Sequence, residues 1–375
     1  MRIGIDVRCL AGSTRLGGGS QYTRHLVAAL LRMDCGEYRL FPGYRRLRNE
    51  SVFRYFPELP AGAAWTWSPI PGRLLDQAWR FGWPPMEWIT GPLDVFFEPD
   101  FFPPPVKFAA LVTTVHDLSF KRCPGWFPPG VAEKRGRMLG GVLDQARAVI
   151  AVSRFTAEEI VDCWPQHAGK VRVIHEAPGP EFRVPTPRET AALRQRLCLD
   201  APYYLYVGAL EARKNIQNLI GAFMRLRQGG KTDTGLVLAG MPGLGADGIL
   251  AAASKGIGLG WIRWLGYAEP QDLPALYGSA RVVCYLSWYE GFGLPPLEAM
   301  ACGAPVLASR IPVLQEVLGP HAVYVNPADQ GEIASALVDL ESRERGDASS
   351  RLAWAGRYSW DTAARETFRV FSEVA

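Results

Sequence analysis

Two glutamates eight residues apart, Glu290 and Glu298, stand in a glycine-bearing loop and in the helix predicted to follow it. A residue that precedes proline is disfavoured in a helix, so we predict that Pro295 is the last residue before the helix and Pro296 the first inside it. Glu298 is then the third helical residue. Because Pro295 offers neither an N–H nor a side-chain oxygen, we expect Glu298 to have no capping role and to accept hydrogen bonds from a ligand's hydroxyl groups.

The same helix start predicts an anion site. No side chain caps it, so the amides of Leu297, Glu298 and Ala299 are expected to lack local partners, and such amides bind anions. Together, the amides and the carboxylates indicate a ligand with phosphates and sugar hydroxyls. The alternative is a surface helix with two solvated glutamates. The glycines, prolines and apolar exit strand within residues 287–307 count against it, since a solvated helix needs none of them.

Two more candidate groups follow predicted strands. Arg213 and Lys214 come shortly after the strand pattern of residues 203–207, where a helix is predicted to open. Two adjacent cations at a helix start are costly unless an anion is near, and the alternative is a pair of solvated surface charges. His116 directly follows the strand pattern of residues 110–115. In open α/β sheets ligands bind at the carboxyl ends of strands, which makes His116 a candidate.

A glycine run at residues 17–19 follows a strand pattern at residues 2–7 and precedes a helical pattern that begins near Tyr22. A strand, a glycine loop and a helix start together are typical of phosphate binding. Tyr22 occupies the place of the third glycine in the dinucleotide fingerprint, which disfavours a nicotinamide cofactor. For this loop alone, a flexible surface turn is an equal alternative.

The composition is that of a globular protein with two domains. The 375 residues suit two domains of roughly 100–200 residues each, and 48% hydrophobic with 21% charged residues is ordinary. The formal net charge of +4 is too small to indicate a nucleic-acid partner. The seven cysteines include no C-x-x-C pair, so we expect a reducing compartment and no metal site.

The sequence also predicts where the protein works. Met1 leads directly into a strand pattern, leaving no room for a signal peptide, and no apolar run approaches the ~18 residues of a membrane span. We expect a cytoplasmic protein whose contact with the inner membrane, if it has one, is peripheral.

Residues 42–90 interleave arginines with aromatic residues. The pattern suits a membrane interface or a carbohydrate acceptor, and equally an ordinary core with a polar rim. The residues are Arg45, Arg46, Arg48, Arg54, Arg73 and Arg80, with Trp65, Trp67, Trp79, Phe81, Trp83 and Trp88. Farther along, Glu98 and Asp100 flank a proline among apolar neighbours, which favours a loop without metal.

Both halves of the chain alternate strand and helix patterns, which predicts two α/β domains with parallel sheets. Prolines cluster between residues 178 and 187 and mark the best boundary. We therefore expect one domain over residues 1–185, a second over 186–357, and an amphipathic C-terminal helix over 358–375.

Several of these segments, taken together and in order, resemble the retaining family 4 glycosyltransferases. The matching segments are residues 115–118, 208–215, 265–267 and 290–306. The segments 2–6 and 116–120 are most similar to the bacterial mannosyltransferase branch, which uses GDP-mannose or GDP-rhamnose in polysaccharide and O-antigen assembly. The resemblance implies the GT-B fold. In this fold two Rossmann-like domains face each other, the second holds the donor nucleotide, the first holds the acceptor, and the C-terminal helix crosses back to the first.

The resemblance also implies roles for individual residues. Arg213 and Lys214 would bind the diphosphate, Glu298 the ribose, and Glu290 the transferred sugar, with His116 near the sugar's reactive face. The implied donor-binding set further comprises Gly18, Gly19, Gly208, Gly266, Tyr267, Gly291, Phe292, Gly293 and Leu294. The implied partners are a nucleotide-sugar donor, GDP-linked in this branch, and a glycan or lipid-linked acceptor.

The expected mechanism follows from charge. Cleavage of the bond to the nucleotide leaves negative charge on the phosphates, which Arg213, Lys214 and the free amides can stabilise without a metal ion or other cofactor. The family's retaining transfer implies that the leaving phosphate helps to deprotonate the acceptor. The alternatives are a UDP-sugar transferase of the same family, an epimerase or phosphorylase on the same scaffold, a non-catalytic binding protein and, remotely, a dehydrogenase.

Overall fold

The computed structural model describes residues 1–11, 17–44, 50–100, 103–342 and 348–375, and these form two compact units. The first unit combines Met1–Glu176 with Ser359–Ala375, and the second is Ala177–Tyr358. The chain thus leaves the first unit at Glu176, ahead of the boundary at residue 185 that we chose from the prolines. Arg45, Arg46 and Arg48 lie outside the described residues.

Within the described residues, the first unit contains a parallel sheet of seven strands in the order β3-β2-β1-β4-β5-β6-β7. The strands are β1 (Arg2–Asp6), β2 (Glu37–Phe41), β3 (Ala63–Trp65), β4 (Val95–Glu98), β5 (Ala110–Val115), β6 (Ala148–Ala151) and β7 (Val171–Val173). The interior strands β4 and β6 are buried along their whole length, as the near-continuous apolar sequence of a parallel strand requires.

The helices of the first unit connect these strands. They are α1 (Gly18–Met33), α2 (Glu50–Tyr55), α3 (Gly72–Trp79), α4 (Glu87–Thr90), α5 (Ser119–Arg122), α6 (Val131–Gln145) and α7 (Arg154–Cys163). Short 3₁₀ turns occur at Arg8–Leu10, Pro124–Trp126 and Pro165–Lys170. The C-terminal helix (Trp360–Val374) packs on α1: the Trp360 ring stacks on His25 with ring centroids 5.5 Å apart, and Arg32 pairs with Asp361 at 2.8 Å.

The second unit contains a parallel sheet with, in the described part of the chain, six strands in the order β10-β9-β8-β11-β12-β13. They are β8 (Tyr203–Val207), β9 (Gly235–Ala239), β10 (Ile262–Gly266), β11 (Val282–Tyr285), β12 (Val306–Ser309) and β13 (Val323–Val325). The helices are α8 (Pro187–Arg196), α9 (Ile216–Gln228), α10 (Ala246–Gly258), α11 (Leu273–Ser279), α12 (Leu294–Ala301), α13 (Pro312–Leu318), α14 (Gln330–Ser342) and α15 (Ala348–Ala355), and the C-terminal helix is therefore α16. Turns of 3₁₀ helix occur at Ala212–Lys214, Pro270–Asp272 and Gly319–His321.

The predicted fold class, two Rossmann-like α/β units with parallel sheets, is confirmed. Strands β5 and β8 have the bounds expected from their apolar runs. Among the described residues, no helix combines the length and the apolar character that crossing a bilayer requires.

Candidate active site

Lys214 and Glu290 form a buried ion pair at the carboxyl edge of the second unit's sheet. Lys214 Nζ lies 2.5 Å from Glu290 Oε1 and 2.8 Å from the Tyr285 hydroxyl, and both charged side chains are less than a tenth exposed. Burial by itself would raise the pKa of the Glu290 carboxyl, but the charges of Lys214 and Arg213 outweigh burial and lower it to about 2. Glu290 is therefore ionised at any physiological pH.

Arg213 completes this group. Its Nε donates to Glu211 Oε2 at 2.6 Å, and its Nη1 donates to Glu290 Oε2 at 3.3 Å. The two cations thus already have two carboxylates beside them. The anion that we expected near Arg213 and Lys214 is thus supplied at least in part by the protein's own carboxylates. The contact with Glu290, 76 residues farther along the chain, was not predicted.

The turn that carries the cations also differs from our prediction. Residues Ala212–Lys214 form a 3₁₀ turn, Asn215 adopts a left-handed conformation with φ 56°, and α9 begins only at Ile216. The carbonyl of Arg213 accepts a hydrogen bond from the amide of Trp288 at 2.9 Å. This bond ties the turn after β8 to the loop after β11, which carries Glu290.

Helix α12 begins at Leu294, and our prediction that it begins at Pro296 was wrong. Gly293 is the N-cap residue with φ 105°, a conformation that glycine adopts readily, and it lets both prolines fit into the first turn. Glu298 is therefore the fifth helical residue and not the third.

This shift changes which amides can bind an anion. The amides of Leu297, Glu298 and Ala299 fall at helical positions four to six, where an N–H donates to the carbonyl four residues before it. Pro295 and Pro296 have no N–H. In this geometry the amides without an intrahelical acceptor are those of Gly293 and Leu294, so the predicted anion site moves to them.

Glu298 is half-buried, and its Oε2 accepts a hydrogen bond from the Tyr277 hydroxyl at 3.0 Å. Tyr277 is fully buried in α11, so this bond fixes one side of the carboxylate. Our expectation of a carboxylate without a partner was wrong in this respect. The neighbouring residues Gly291, Phe292 and Gly293 are buried.

Glycines stand at or directly after the carboxyl ends of three adjacent strands of this sheet, β8, β9 and β10. The Gly208 amide, after β8, donates to the Ala239 carbonyl at 2.9 Å, and the Gly240 amide, after β9, donates to the Gly266 carbonyl at 2.6 Å. All three glycines have positive φ: 144° at Gly208, 156° at Gly240 and 68° at Gly266. Tyr267 follows directly and is half-buried. The backbone segments at the carboxyl ends of β8, β9 and β10 therefore lie close to one another.

His116 follows β5 in the first unit, and both of its ring nitrogens are engaged. Nδ1 lies 3.0 Å from Glu176 Oε1, and Nε2 lies 2.9 Å from the Pro99 carbonyl. Burial would lower the pKa of the imidazole, but the hydrogen bond and charge of Glu176 outweigh it and raise the pKa to about 9. At neutral pH His116 is a cation that donates from both nitrogens, so it is no general base.

The glycine run lies next to this histidine. Gly17 is the N-cap of α1 and no side chain caps the helix, so the amides of Gly18 and Gly19 stand in its first turn. A Cβ added at Gly19 would lie 3.7 Å from His116 Nε2, whereas one added at Gly18 would meet nothing within 4 Å. The structure thus brings Gly19 and His116 together.

We expect the stability of the first unit to depend on pH through His116. Its pKa is about 9 in the fold, against about 6.5 unfolded. A raised pKa contributes stability, here on the order of 3 kcal/mol, that is fully present below about pH 6.5 and is lost as the pH rises through about 9. Denaturant unfolding followed across this range measures the loss.

Glu176→Gln should flatten this dependence, because it removes the charge that holds the proton. Glu373→Gln is the matched control, since Glu373 pairs with Arg172 in the same unit through exposed side chains. If the pH dependence persists in Glu176→Gln, another group causes it.

Three side chains that our sequence analysis missed support the predicted residues. Glu176 holds His116, Tyr285 holds Lys214, and Tyr277 holds Glu298. Tyr277 and Tyr285 looked like ordinary apolar members of a helix and a strand. Glu176 follows β7, and its place near the carboxyl end of a strand is the one signal that could have marked it.

Comparison with known proteins adds to this geometry. Residues 190–357 match the family model "Glycosyl transferases group 1", and residues 16–177 match "Glycosyltransferase Family 4". An O-antigen chain mannosyltransferase B of Escherichia coli is 34% identical over 282 residues, which are 74% of this chain and 74% of that protein. An MMP alpha-(1->4)-mannosyltransferase of Mycolicibacterium hassiacum is 30% identical over 283 residues, covering 70% of this chain and 65% of that protein.

Two solved structures share the fold over nearly the whole chain. Anabaena Alr3699/HepE in complex with UDP and glucose has a TM-score of 0.75 and 18% identity, with 100% of both chains covered. WaaG, a glycosyltransferase involved in lipopolysaccharide biosynthesis, has a TM-score of 0.67 and 14% identity, with 98% of this chain and 95% of that chain covered.

Proposed function

The chain belongs to the family 4 glycosyltransferases of GT-B fold, in the mannosyltransferase branch, and from this membership we propose a specific reaction. The protein transfers mannose or rhamnose, with retention of configuration and without a metal ion, from a GDP-linked donor to a glycan or lipid-linked acceptor in polysaccharide or O-antigen assembly. The 34% identity to an O-antigen chain mannosyltransferase along 74% of both chains carries the proposal.

The second unit would hold the donor. Arg213 is a quarter exposed, and Lys214 uses two donor positions on Glu290 and Tyr285, which leaves its third N–H for a phosphate oxygen. The Gly293 and Leu294 amides would add donors at the start of α12. Glu290 would accept hydrogen bonds from the sugar, and Glu298 from the ribose. The backbone at Gly208, Gly266 and Tyr267 would approach the base.

The charge states support a metal-free, phosphate-assisted transfer. The leaving diphosphate gains negative charge, which Arg213 and Lys214 would stabilise in place of a metal ion. Neither Glu290, with a pKa of about 2, nor His116, with a pKa of about 9, can take a proton from the acceptor at neutral pH. The leaving phosphate oxygen is then the group that would accept it.

A nucleotide panel tests the proposal. We expect GDP and GDP-mannose to raise the melting temperature, by the equivalent of about 2.7 kcal/mol at 100 times Kd, with and without EDTA. UDP and NADH should have little effect. UDP is the specific alternative, because the Anabaena structure holds it. Stabilisation by UDP alone would reassign the base, and stabilisation only with a divalent metal would overturn the metal-free mechanism.

Retention has its own measurement. Proton NMR of the early product reports the anomeric configuration, and a retaining enzyme gives a product with the configuration of its donor. Incubation with the donor alone separates a transferase, which shows at most slow hydrolysis, from an epimerase, which needs no acceptor.

A further inference from the structure

The first unit carries a cluster of exposed apolar side chains, here called the aromatic platform: Phe81, Trp83, Trp88, Phe108 and Met138. Phe81 is 89% exposed, Phe108 72% and Trp88 67%. Single exposed hydrophobic residues are ordinary, but a group of four aromatic residues and a methionine on neighbouring segments is not. None of its five residues belongs to the set that we assigned to donor binding.

The structure divides the aromatic residues of 42–90 into two groups. Trp65 and Trp67 pack on Phe53, with ring centroids 5.2 and 6.0 Å apart, and Trp79 lies under the Arg8 guanidinium at 4.8 Å. These three tryptophans are half-buried and belong to the packing of the unit. Phe81, Trp83 and Trp88 are exposed instead, and Trp83 packs on Trp88 and not on the body of the unit, which favours the interface interpretation for them.

The two loops of the platform are firmly joined. The Met86 amide donates to the Pro105 carbonyl at 2.8 Å, and the buried Glu87 carboxylate accepts from the amides of Phe108 at 2.7 Å and Ala109 at 2.9 Å. These bonds fix the position of Phe108 relative to Trp88, whose neighbour is Glu87. Trp83 packs edge-on against Trp88, with ring centroids 5.7 Å apart. The platform is therefore preorganised.

Cations surround the platform. A cavity of about 1810 Å³ that lies wholly within the first unit is lined by Trp83, Trp88, Phe108 and Met138, and by seven Lys or Arg side chains against three carboxylate side chains. Lys107 Nζ lies 5.4 Å from the centroid of the Phe108 ring, and Arg137 is exposed on α6 beside Met138. Apolar rings with a cationic border are complementary to an anionic lipid bilayer, which has an apolar interior beneath negatively charged headgroups.

We propose that the aromatic platform docks the first unit on an anionic lipid bilayer. Indole and phenyl rings insert at the level of the headgroups, while lysine and arginine keep their charge among the anionic headgroups and lay their aliphatic stems along the rings. Each basic residue near such a surface strengthens the attraction to the anionic headgroups. The docking rests on the proposed function in one respect only: if the acceptor is lipid-linked, it would be presented at the surface of the same bilayer.

Flotation with lipid vesicles tests the docking. We expect the protein to float with vesicles of phosphatidylglycerol and phosphatidylcholine and much less with phosphatidylcholine alone, and added salt should weaken the binding. The double variant Trp88→Ser, Phe108→Ser should bind the anionic vesicles at least about tenfold more weakly, because it removes two large apolar groups from the interface. Lys107→Glu with Arg137→Glu should lose the preference for anionic lipid.

The matched control is Ile257→Ser with Leu259→Ser, at exposed apolar residues in and just after α10 of the second unit. It should bind vesicles as the unchanged protein does. The proposal fails if the unchanged protein does not float, or if the platform variant floats equally well. It also fails if the platform variant converts a dimer into a monomer without changing flotation, since the surface would then join two copies.

Nucleotide binding separates this proposal from the proposed function. Thermal shift with GDP should be the same for the unchanged protein and for all these variants, because none lies in the donor site. Loss of flotation with intact nucleotide binding supports the docking. A protein that floats but binds no nucleotide would contradict the proposed function and leave the docking intact.

Discussion

Lys214→Met is expected to slow transfer about 100–1000-fold, because it removes a cation that stabilises charge on the leaving phosphate. It should also lower the free energy of unfolding by about 3–5 kcal/mol, since Glu290 would remain charged and buried beside Arg213 alone. Single-turnover kinetics with saturating donor measures the first effect, and denaturant unfolding measures the second.

A second substitution separates the two effects. In the double variant Lys214→Met, Glu290→Gln the buried carboxylate is gone, so much of the lost stability should return while transfer stays slow. Recovery of transfer together with stability would mean that Lys214 only supports the fold.

A surface pair provides the matched control for stability. Arg183 pairs with Glu189 in the same unit at 2.6 Å, but both side chains are exposed. Arg183→Met should therefore leave both the unfolding transition and transfer almost unchanged. A loss as large as that of Lys214→Met would contradict the role of burial in the Lys214–Glu290 pair.

The strands could be predicted because their signal is local. Buried parallel strands need near-continuous apolar runs, and such runs stand at residues 110–115 and 203–207 with the bounds that the structure has. Ligand sites in such sheets lie at the carboxyl ends of the strands. The apolar runs therefore also predicted that His116, Lys214 and Gly208 lie near such ends. The grouping of Lys214 with Glu290 was not predicted as a contact.

The start of α12 could not be predicted from the proline rule alone. The rule disfavours a helical residue before proline, yet Pro295 and Pro296 both lie in the first turn. Gly293, the N-cap residue, makes this possible: its left-handed conformation redirects the chain so that the helix can begin at Leu294. A local preference was outweighed by the packing of α12, whose residues Leu297 and Met300 are fully buried.

The charge balance of the site depends on contacts between distant segments. Lys214 and Glu290 are 76 residues apart, and His116 and Glu176 are 60 apart. The sequence shows that two cations stand together but not which carboxylates approach them. We expected an anion near the two cations, and the sequence alone did not show that carboxylates of the protein supply negative charge there.

Gly240→Ala is expected to destabilise the second unit by more than about 4 kcal/mol, because the new side chain would occupy the place of a backbone atom. A Cβ at Gly240 would lie 1.8 Å from the carbonyl oxygen of Gly208, and its φ of 156° is itself unfavourable for alanine. The segment after β8 would have to move away from β9, and with it the turn that holds Arg213 and Lys214. Thermal unfolding and GDP affinity measure the two consequences.

Gly230→Ala tests whether the close approach, and not the positive φ alone, causes the effect. Gly230 also has a positive φ, 62°, but a Cβ there would meet nothing within 4 Å. Its substitution should cost about 1–2 kcal/mol and leave GDP affinity unchanged. If Gly240→Ala were as mild as Gly230→Ala, the segment after β8 would be free to shift. The position of the Lys214–Glu290 pair would then not depend on the close approach of Gly240 to Gly208.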